Sequence, residues 1–336
     1  MTQQVIENAI NSSADKLNIS PEQFLATLEL LKANLPVPFI ARYRKEETGG
    51  LDEEKIIGVR DAHEQFERLN RRVDSMLNSL EDRGLLSPEI EELLLSAKGF
   101  YQLEDYYLPY RPFQLCLANR ARSQGLEPLA EKILAQNPDH DPEMLALEAI
   151  DEGAKVDNIN DALLGASHLI SEKVFFDLDT LDAVRDIYRD AMIYVTPREE
   201  KLAQVSEENV NFQGAERDDS CLFFSDKVQK LSSGWYFSMK LDEARGLVDV
   251  EFKADEEFIL STINELFLKD NGSQSSAIVS QAIYDAYHYL LAPRAIHELK
   301  EYMHRRAQPD VCRLLAKTLK EFLNAPPLRG RNVMAV

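Results

Sequence analysis

Between Asp52 and Arg83 the chain contains no proline and a single glycine, Gly58. Asp52 is placed as an N-cap, Glu53 and Glu54 complement the dipole of a first helical turn, and Gly84 provides a stop. Val59, Phe66, Val73 and Leu80 recur every seven residues, with Ala62, Leu69 and Met76 three further on, so one apolar seam follows the whole stretch. Some 32 residues at helical rise reach roughly 48 Å, a rod longer than one small domain. A chain built on such a rod must be arranged around it. The other faces mix Arg60, Arg68, Arg71 and Arg72 with Asp61, Glu64, Glu67 and Asp74, the pattern of a solvated helix surface laced with local ion pairs.

The segment feeding the rod is bounded just as sharply. Pro36 and Pro38 disfavour helix before them, and Gly49-Gly50 permit the positive φ that ends one, which predicts a short helix over Phe39 to Glu47. Phe39, Ile40 and Tyr43 are expected on its apolar face, with Arg42, Arg44, Lys45, Glu46 and Glu47 around the rest. Earlier still, Val5 to Leu17 and Pro21 to Ala33 carry helical spacing, with Ser20 as N-cap.

This segment also carries a resemblance. VPFIARYRKEETGGLDEEKI, from Val37, is similar to the N-terminal signature of the Tex family of bacterial transcription accessory proteins, and the likeness continues in order through nearly all of the chain. It includes LEDYYLPYRP at Leu103 to Pro112, QGLEPLA at Gln124 to Ala130, DALLGA at Asp161 to Ala166, DAYHYLLAP at Asp285 to Pro293, and LNAPPLRGRNVMAV at the end. The signature positions are Pro38, Phe39, Arg42, Tyr43, Arg44, Lys45, Gly49 and Gly50, read as structural. The resemblance implies binding to RNA or DNA, chiefly through domains beyond this chain, and association with RNA polymerase or other transcription factors. It also implies a helix-turn-helix-like portion. One departure stands out: where Tex-like chains carry lysines and arginines, Phe113 to Asn119 reads FQLCLAN, so a nucleic-acid contact is not carried over to that loop.

Composition narrows the classes. With 44% hydrophobic and 29% charged residues and few glycines, 336 residues suffice for more than one core and favour helices. Cys116, Cys221 and Cys312 are far apart and odd in number, which encodes neither a disulfide framework nor a zinc knuckle and suits a cytoplasmic protein. No membrane span or signal peptide is visible. The net charge of −20 is concentrated in the middle: Asp139 to Asp270 holds 31 acidic and 13 basic residues, whereas Asn271 to Val336 holds 5 and 9. A polyanion is better received by the terminal regions, and the acidic middle better suits a basic partner.

Downstream of the rod, Ser87-Pro88 opens a helix running to Lys98. Tyr106, Tyr107, Tyr110 and Phe113 follow, able to stack bases or to seal a proline-rich corner. Helices are expected at Glu127 to Ala135, Pro142 to Glu152 and Asn160 to Phe176. Asp177 to Asp186 lacks the glycine and terminal glutamate of a calcium loop, so its acid serves capping and solvation. Tyr194 to Ser220 reads as an irregular connection, and Gly234 to Leu241 with Gly246 to Phe252 as a β-hairpin. Ile278 to Leu291 is amphipathic, interrupted at Pro293, with further helices at Ala295 to Ala307 and Val311 to Asn324. On the last, Val311, Leu314, Leu315, Leu319 and Phe322 are expected to be buried, with Arg313, Lys317 and Lys320 outside. Together with Arg305, Arg306 and Arg329 these form the candidate nucleic-acid-binding patch.

No nucleophile elbow, phosphate loop, dinucleotide fingerprint or HExxH is present, so the reading is non-enzymatic, with no cofactor and no metal. His297, Glu301 and His304 share a helical face, but the histidines stand two turns apart, roughly 10.5 Å. The expected architecture is mainly α: a multi-lobed helical scaffold with one long central helix, a helix-turn-helix-like portion and one small β-hairpin. Its parts are a bundle at 1–51, the connecting helix at 52–84, a helical domain at 85–195, a connection with the hairpin at 196–270, helices at 271–330, and at 331–336 the start of a further domain. The function expected is that of a nucleic-acid-binding transcription accessory protein. The alternatives are a protein-interaction module, or the non-catalytic half of a nuclease whose RNase H-like domain would follow Val336.

Overall fold

The computed structural model describes residues 3–97, 99–111, 117–151, 155–198, 224–269 and 271–324. It is mainly α-helical and divides into two compact units, Met1–Pro112 and Phe113–Val336.

The first unit is α1 (Gln3–Leu17), α2 (Pro21–Lys32), α3 (Val37–Tyr43), α4 (Lys45–Thr48), α5 (Glu53–Asp82), α6 (Pro88–Leu95) and α7 (Phe100–Tyr107). The uninterrupted rod is α5, and Asp52 caps it by accepting the Lys55 N–H at 2.9 Å. Its seam carries separate cores at its two ends. Toward the start, Val59 meets Ala14, Phe24 and Leu28, while Ile56 meets Ile40, Ala41 and Leu51. Toward the end, Val73, Met76 and Leu80 meet Leu94 of α6 with Leu103 and Tyr107 of α7. Gly58 permits the first arrangement, since a Cβ there would lie 2.5 Å from a methyl of Leu17. Tyr106 and Tyr110 pack against the second core, so those tyrosines seal the corner; Phe113 lies outside the described residues.

The entry segment differs from expectation in two ways. The helix over Phe39 to Glu47 is two pieces, because Arg44 leaves helical geometry at φ −122 and ψ 29. The apolar face is also not the expected one: Ile40 and Ala41 are buried, whereas Phe39 and Tyr43 are exposed. The glycines act as expected, Gly49 ending α4 at φ 65 and Gly50 following at φ 82.

In the second unit, α8 (Leu117–Ser123), α9 (Glu127–Ala135), α10 (Pro142–Asp151), α11 (Ile159–Phe176) and α12 (Leu178–Arg189) precede β1 (Met192–Pro197) and β2 (Phe224–Lys227). Then come α13 (Ser233–Ala244), β3 (Val248–Lys253), α14 (Glu256–Phe267), α15 (Ser275–Ala286), a π-helical turn at Tyr287–Leu291 and α16 (Ala292–Leu323). The buried centre is α11, through Ala162, Ala166, Leu169, Ile170 and Val174. Asp177 caps α12, the capping role expected of that acidic stretch.

The β-hairpin is replaced by a three-stranded antiparallel sheet in the order β2-β1-β3. Gly234 to Leu241 is helix: Ser232 accepts the Trp235 N–H, and Tyr236 and Met239 are buried at helical spacing. The strand expected at Gly246 to Phe252 exists as β3, paired with β1 in the register Val195↔Val250. Tyr194 to Pro197 therefore lie in the central strand and not in an irregular connection, and 199–220 of that stretch lie outside the described residues. The C-terminal helices are also continuous. Pro293 lies in the first turn of α16, directly after the π-helical turn, and the helix runs on through Pro309.

Candidate nucleic-acid interface

Two groups of residues were candidates, and the structure treats them differently. On α16, Ala307 is the last buried residue; from Gln308 to Asn324 all positions are exposed except half-buried Val311. The stripe expected to be covered therefore lies open, with Leu314 at 61%, Leu319 at 52% and Phe322 at 79% exposure. Apolar periodicity identified the stripe correctly, but no other part of the described residues covers it.

The candidate cations lie along the same helix, mostly with local partners. Arg305 pairs with Glu301 at 2.9 Å, Arg313 with Asp310 at 3.3 Å and Lys317 with Glu321 at 3.9 Å. Arg306 donates to the Gln229 carbonyl at 3.1 Å, and Lys320 has no ion-pair partner among the described residues. Arg329 and the strand expected at 331–336 lie outside the described residues. From 301 to 324, five Lys and Arg face three Asp and Glu, a net +2 on a chain of −20. Exposed pairs of this kind are weak, so phosphates can compete for the cations. His304 packs its ring against Tyr236 and Phe237, whereas His297 is exposed beside Glu301. The structure thus does not bring the two histidines together.

The signature residues occupy a hydrogen-bonded corner of the first unit. Gln23 holds it: its amide donates to the carbonyls of Thr48 at 3.2 Å and Gly49 at 3.3 Å, while its Oε1 accepts the Ser20 N–H at 3.1 Å. The Ser20-x-x-Gln23 spacing is that of a capping box, which is the signal that could have found this residue. Thr48 is buried, and Pro38, Arg42, Tyr43, Arg44 and Lys45 all face solvent.

Sequence reading missed two buried glutamates. Glu104 of α7 accepts from Arg72 of α5 at 2.6 Å and also from Arg111. Glu298 of α16 accepts from Arg185 of α12 and from Arg294, both at 2.8 Å. Burial pushes the Glu298 carboxyl up, but the hydrogen bonds and charges of the two arginines outweigh it and hold the group below its ordinary value. Each glutamate ties a long helix to a neighbour.

Residues 7–81 match the Tex-like protein N-terminal domain. The chain is also 27% identical over 339 residues to Protein tex of Bordetella pertussis, covering 96% of this chain and 41% of that protein. Against the transcriptional accessory protein Tex of Neisseria gonorrhoeae it is 35% identical over 185 residues, 54% of this chain and 24% of that one. The chain belongs to the Tex family. Similarity reaches the S1 RNA-binding domain-containing protein 1 of Homo sapiens at 23% identity over 331 residues, 96% of this chain and 33% of that protein. This Tex-family chain spans less than half the length of these relatives. Within it, the matched domain covers the corner held by Gln23 and nearly all of α5. No described helix is long and apolar enough to cross a membrane.

Proposed function

We propose that this chain is the helical scaffold of a cytoplasmic transcription accessory protein, and that it adds a weak, salt-sensitive nucleic-acid contact through the distal half of α16. The observation carrying this reading is the exposure of that half together with its positive charge on an otherwise strongly acidic chain. On this reading the chain does no chemistry, and the helix-turn-helix-like portion expected within residues 85–195 belongs to the same binding role. A second reading rests on the apolar stripe of the same helix: a protein of the transcription machinery, RNA polymerase included, docks there.

Fluorescence anisotropy with labelled RNA and DNA tests the first reading. Binding is expected at low salt and should fall more than about tenfold between roughly 50 and 200 mM salt, as a few displaced counterions require. Lys317→Glu with Lys320→Glu should remove the part contributed by α16. No binding at low salt would leave the protein-docking reading, which pull-down with RNA polymerase then tests.

A further inference from the structure

The signature corner presents a feature that scaffolding does not use. At about 100° per residue, Val37, Ile40 and Ala41 fall on one side of α3, and these are the positions packed with Leu51 and Ile56. That register forces Pro38, Phe39, Arg42 and Tyr43 outward. Phe39 is 38% and Tyr43 72% exposed, with ring centroids 5.1 Å apart and planes tilted by 39°. Arg44 is engaged with Glu47 at 2.7 Å, but Arg42 and Lys45 have no ion-pair partner among the described residues. Two exposed rings thus adjoin two uncommitted cations, with the Pro38 ring as the other exposed apolar group of α3.

The corner is held in place before any ligand arrives. Pro36 and Pro38 restrict the entry, Gln23 grips the Thr48 and Gly49 carbonyls, and Thr48 is buried. A base stacking there would meet rings that lose little freedom on binding.

We infer that this face of α3 binds single-stranded nucleic acid, with a base stacked on Tyr43 and neighbouring phosphates met by Arg42 and Lys45. Charge complementarity selects this occupant: exposed rings flanked by unpaired cations suit a polyanion whose bases have open π-faces, and paired bases cannot use them. The residues are distinct from those of α16, so the inference stands apart from the function proposed above.

The test measures anisotropy of a labelled polyuridine RNA of about twelve nucleotides, a length within the usual range of such sites. The full chain is used with Lys317→Glu and Lys320→Glu in place, so that α16 does not contribute. Tyr43→Ala should weaken binding about tenfold, the loss of one stacked base. Tyr43→Trp and Tyr43→Phe should retain affinity, Arg42→Glu should weaken it similarly, and the matching duplex should bind less well. Circular dichroism and thermal melting should be unchanged by Tyr43→Ala, because that side chain is mostly in solvent. The inference is overturned if the RNA does not bind, if Tyr43→Ala binds as tightly as its parent, or if duplex and single strand bind alike. Loss of RNA polymerase capture by Tyr43→Ala with RNA affinity unchanged would also overturn it, by giving the surface to a protein.

Discussion

Two helices of nearly equal length, α5 with 30 residues and α16 with 32, make opposite use of the same kind of apolar periodicity. The seam of α5 is covered toward both ends by its neighbours in sequence, α1 to α3 before it and α6 with α7 after it. Only the first half of α16 is buried, through Ala295, Leu299, Met303 and Ala307, and its second half keeps an open stripe. Periodicity therefore tells which face of a helix is apolar. Whether that face is covered depends on what packs there.

The largest expected effect is the contrast between Leu80→Ala on α5 and Leu319→Ala on α16. Leu80 is fully buried, and deleting its side chain leaves a cavity that should cost about 3 kcal/mol in denaturant unfolding. Leu319 is half in solvent, and its removal should change stability by no more than about 0.5 kcal/mol. Equal losses would mean that the distal stripe of α16 is covered in solution, and the contrast between the helices would fail.

Next in size is the buried carboxylate on the first half of α16. Glu298→Gln leaves Arg185 and Arg294 without their shared counter-charge, an expected cost of about 2 kcal/mol; breaking a fully buried pair costs more, but both guanidiniums here reach some solvent. The pH dependence has a definite sign. The folded state holds this carboxyl below its ordinary 4.5, so the unfolded chain takes up the proton first. The stabilisation is complete above that value and is lost as pH falls through the lower folded one. The parent should accordingly lose stability more steeply than Glu298→Gln as pH falls through this range, so that the gap between them closes once the glutamic acid is protonated. A variant that keeps the parent's full acid sensitivity would show that other carboxylates govern it.

How much of this was legible follows from the distance over which each feature is determined. The rod from Asp52 needed only local information: no breaker, an N-cap and a repeat. The ion pairs of Arg305, Arg313 and Lys317 are local in the same way, with partners three or four positions away, whereas the Gln229 carbonyl that Arg306 reaches is 77 positions away. The register of α3 was misread because Phe39 and Tyr43 are apolar by type, although Val37, Ile40 and Ala41 are what the core accepts. Strand β1 was missed because its partners begin at Phe224 and Val248, so its short run of residues had no neighbouring turn to mark it. The segment Gly234 to Leu241 reads as a strand in sequence, but the Ser232 cap and the burial of Tyr236 and Met239 at helical spacing make it helix. The glutamate clamps were beyond reach, since Glu104 meets Arg72 across 32 positions and Glu298 meets Arg185 across 113.

The smallest effect distinguishes how the two helices begin. After the break at Gly49-Gly50, α5 starts afresh, and its first N–H groups have no carbonyls behind them; Asp52 supplies an acceptor to Lys55. In contrast, α16 follows directly from the π-helical turn, and the Ala292 N–H bonds back to the Tyr287 carbonyl, so it uses no side-chain cap. Asp52→Ala should cost about 1 kcal/mol of unfolding free energy, as the loss of an N-cap does. Asp52→Asn keeps the acceptor and removes the charge, and should remain within about 0.5 kcal/mol of the parent. If Asn costs as much as Ala, the carboxylate acts on the helix dipole through its charge, and the two helix starts differ in electrostatics more than in hydrogen bonding.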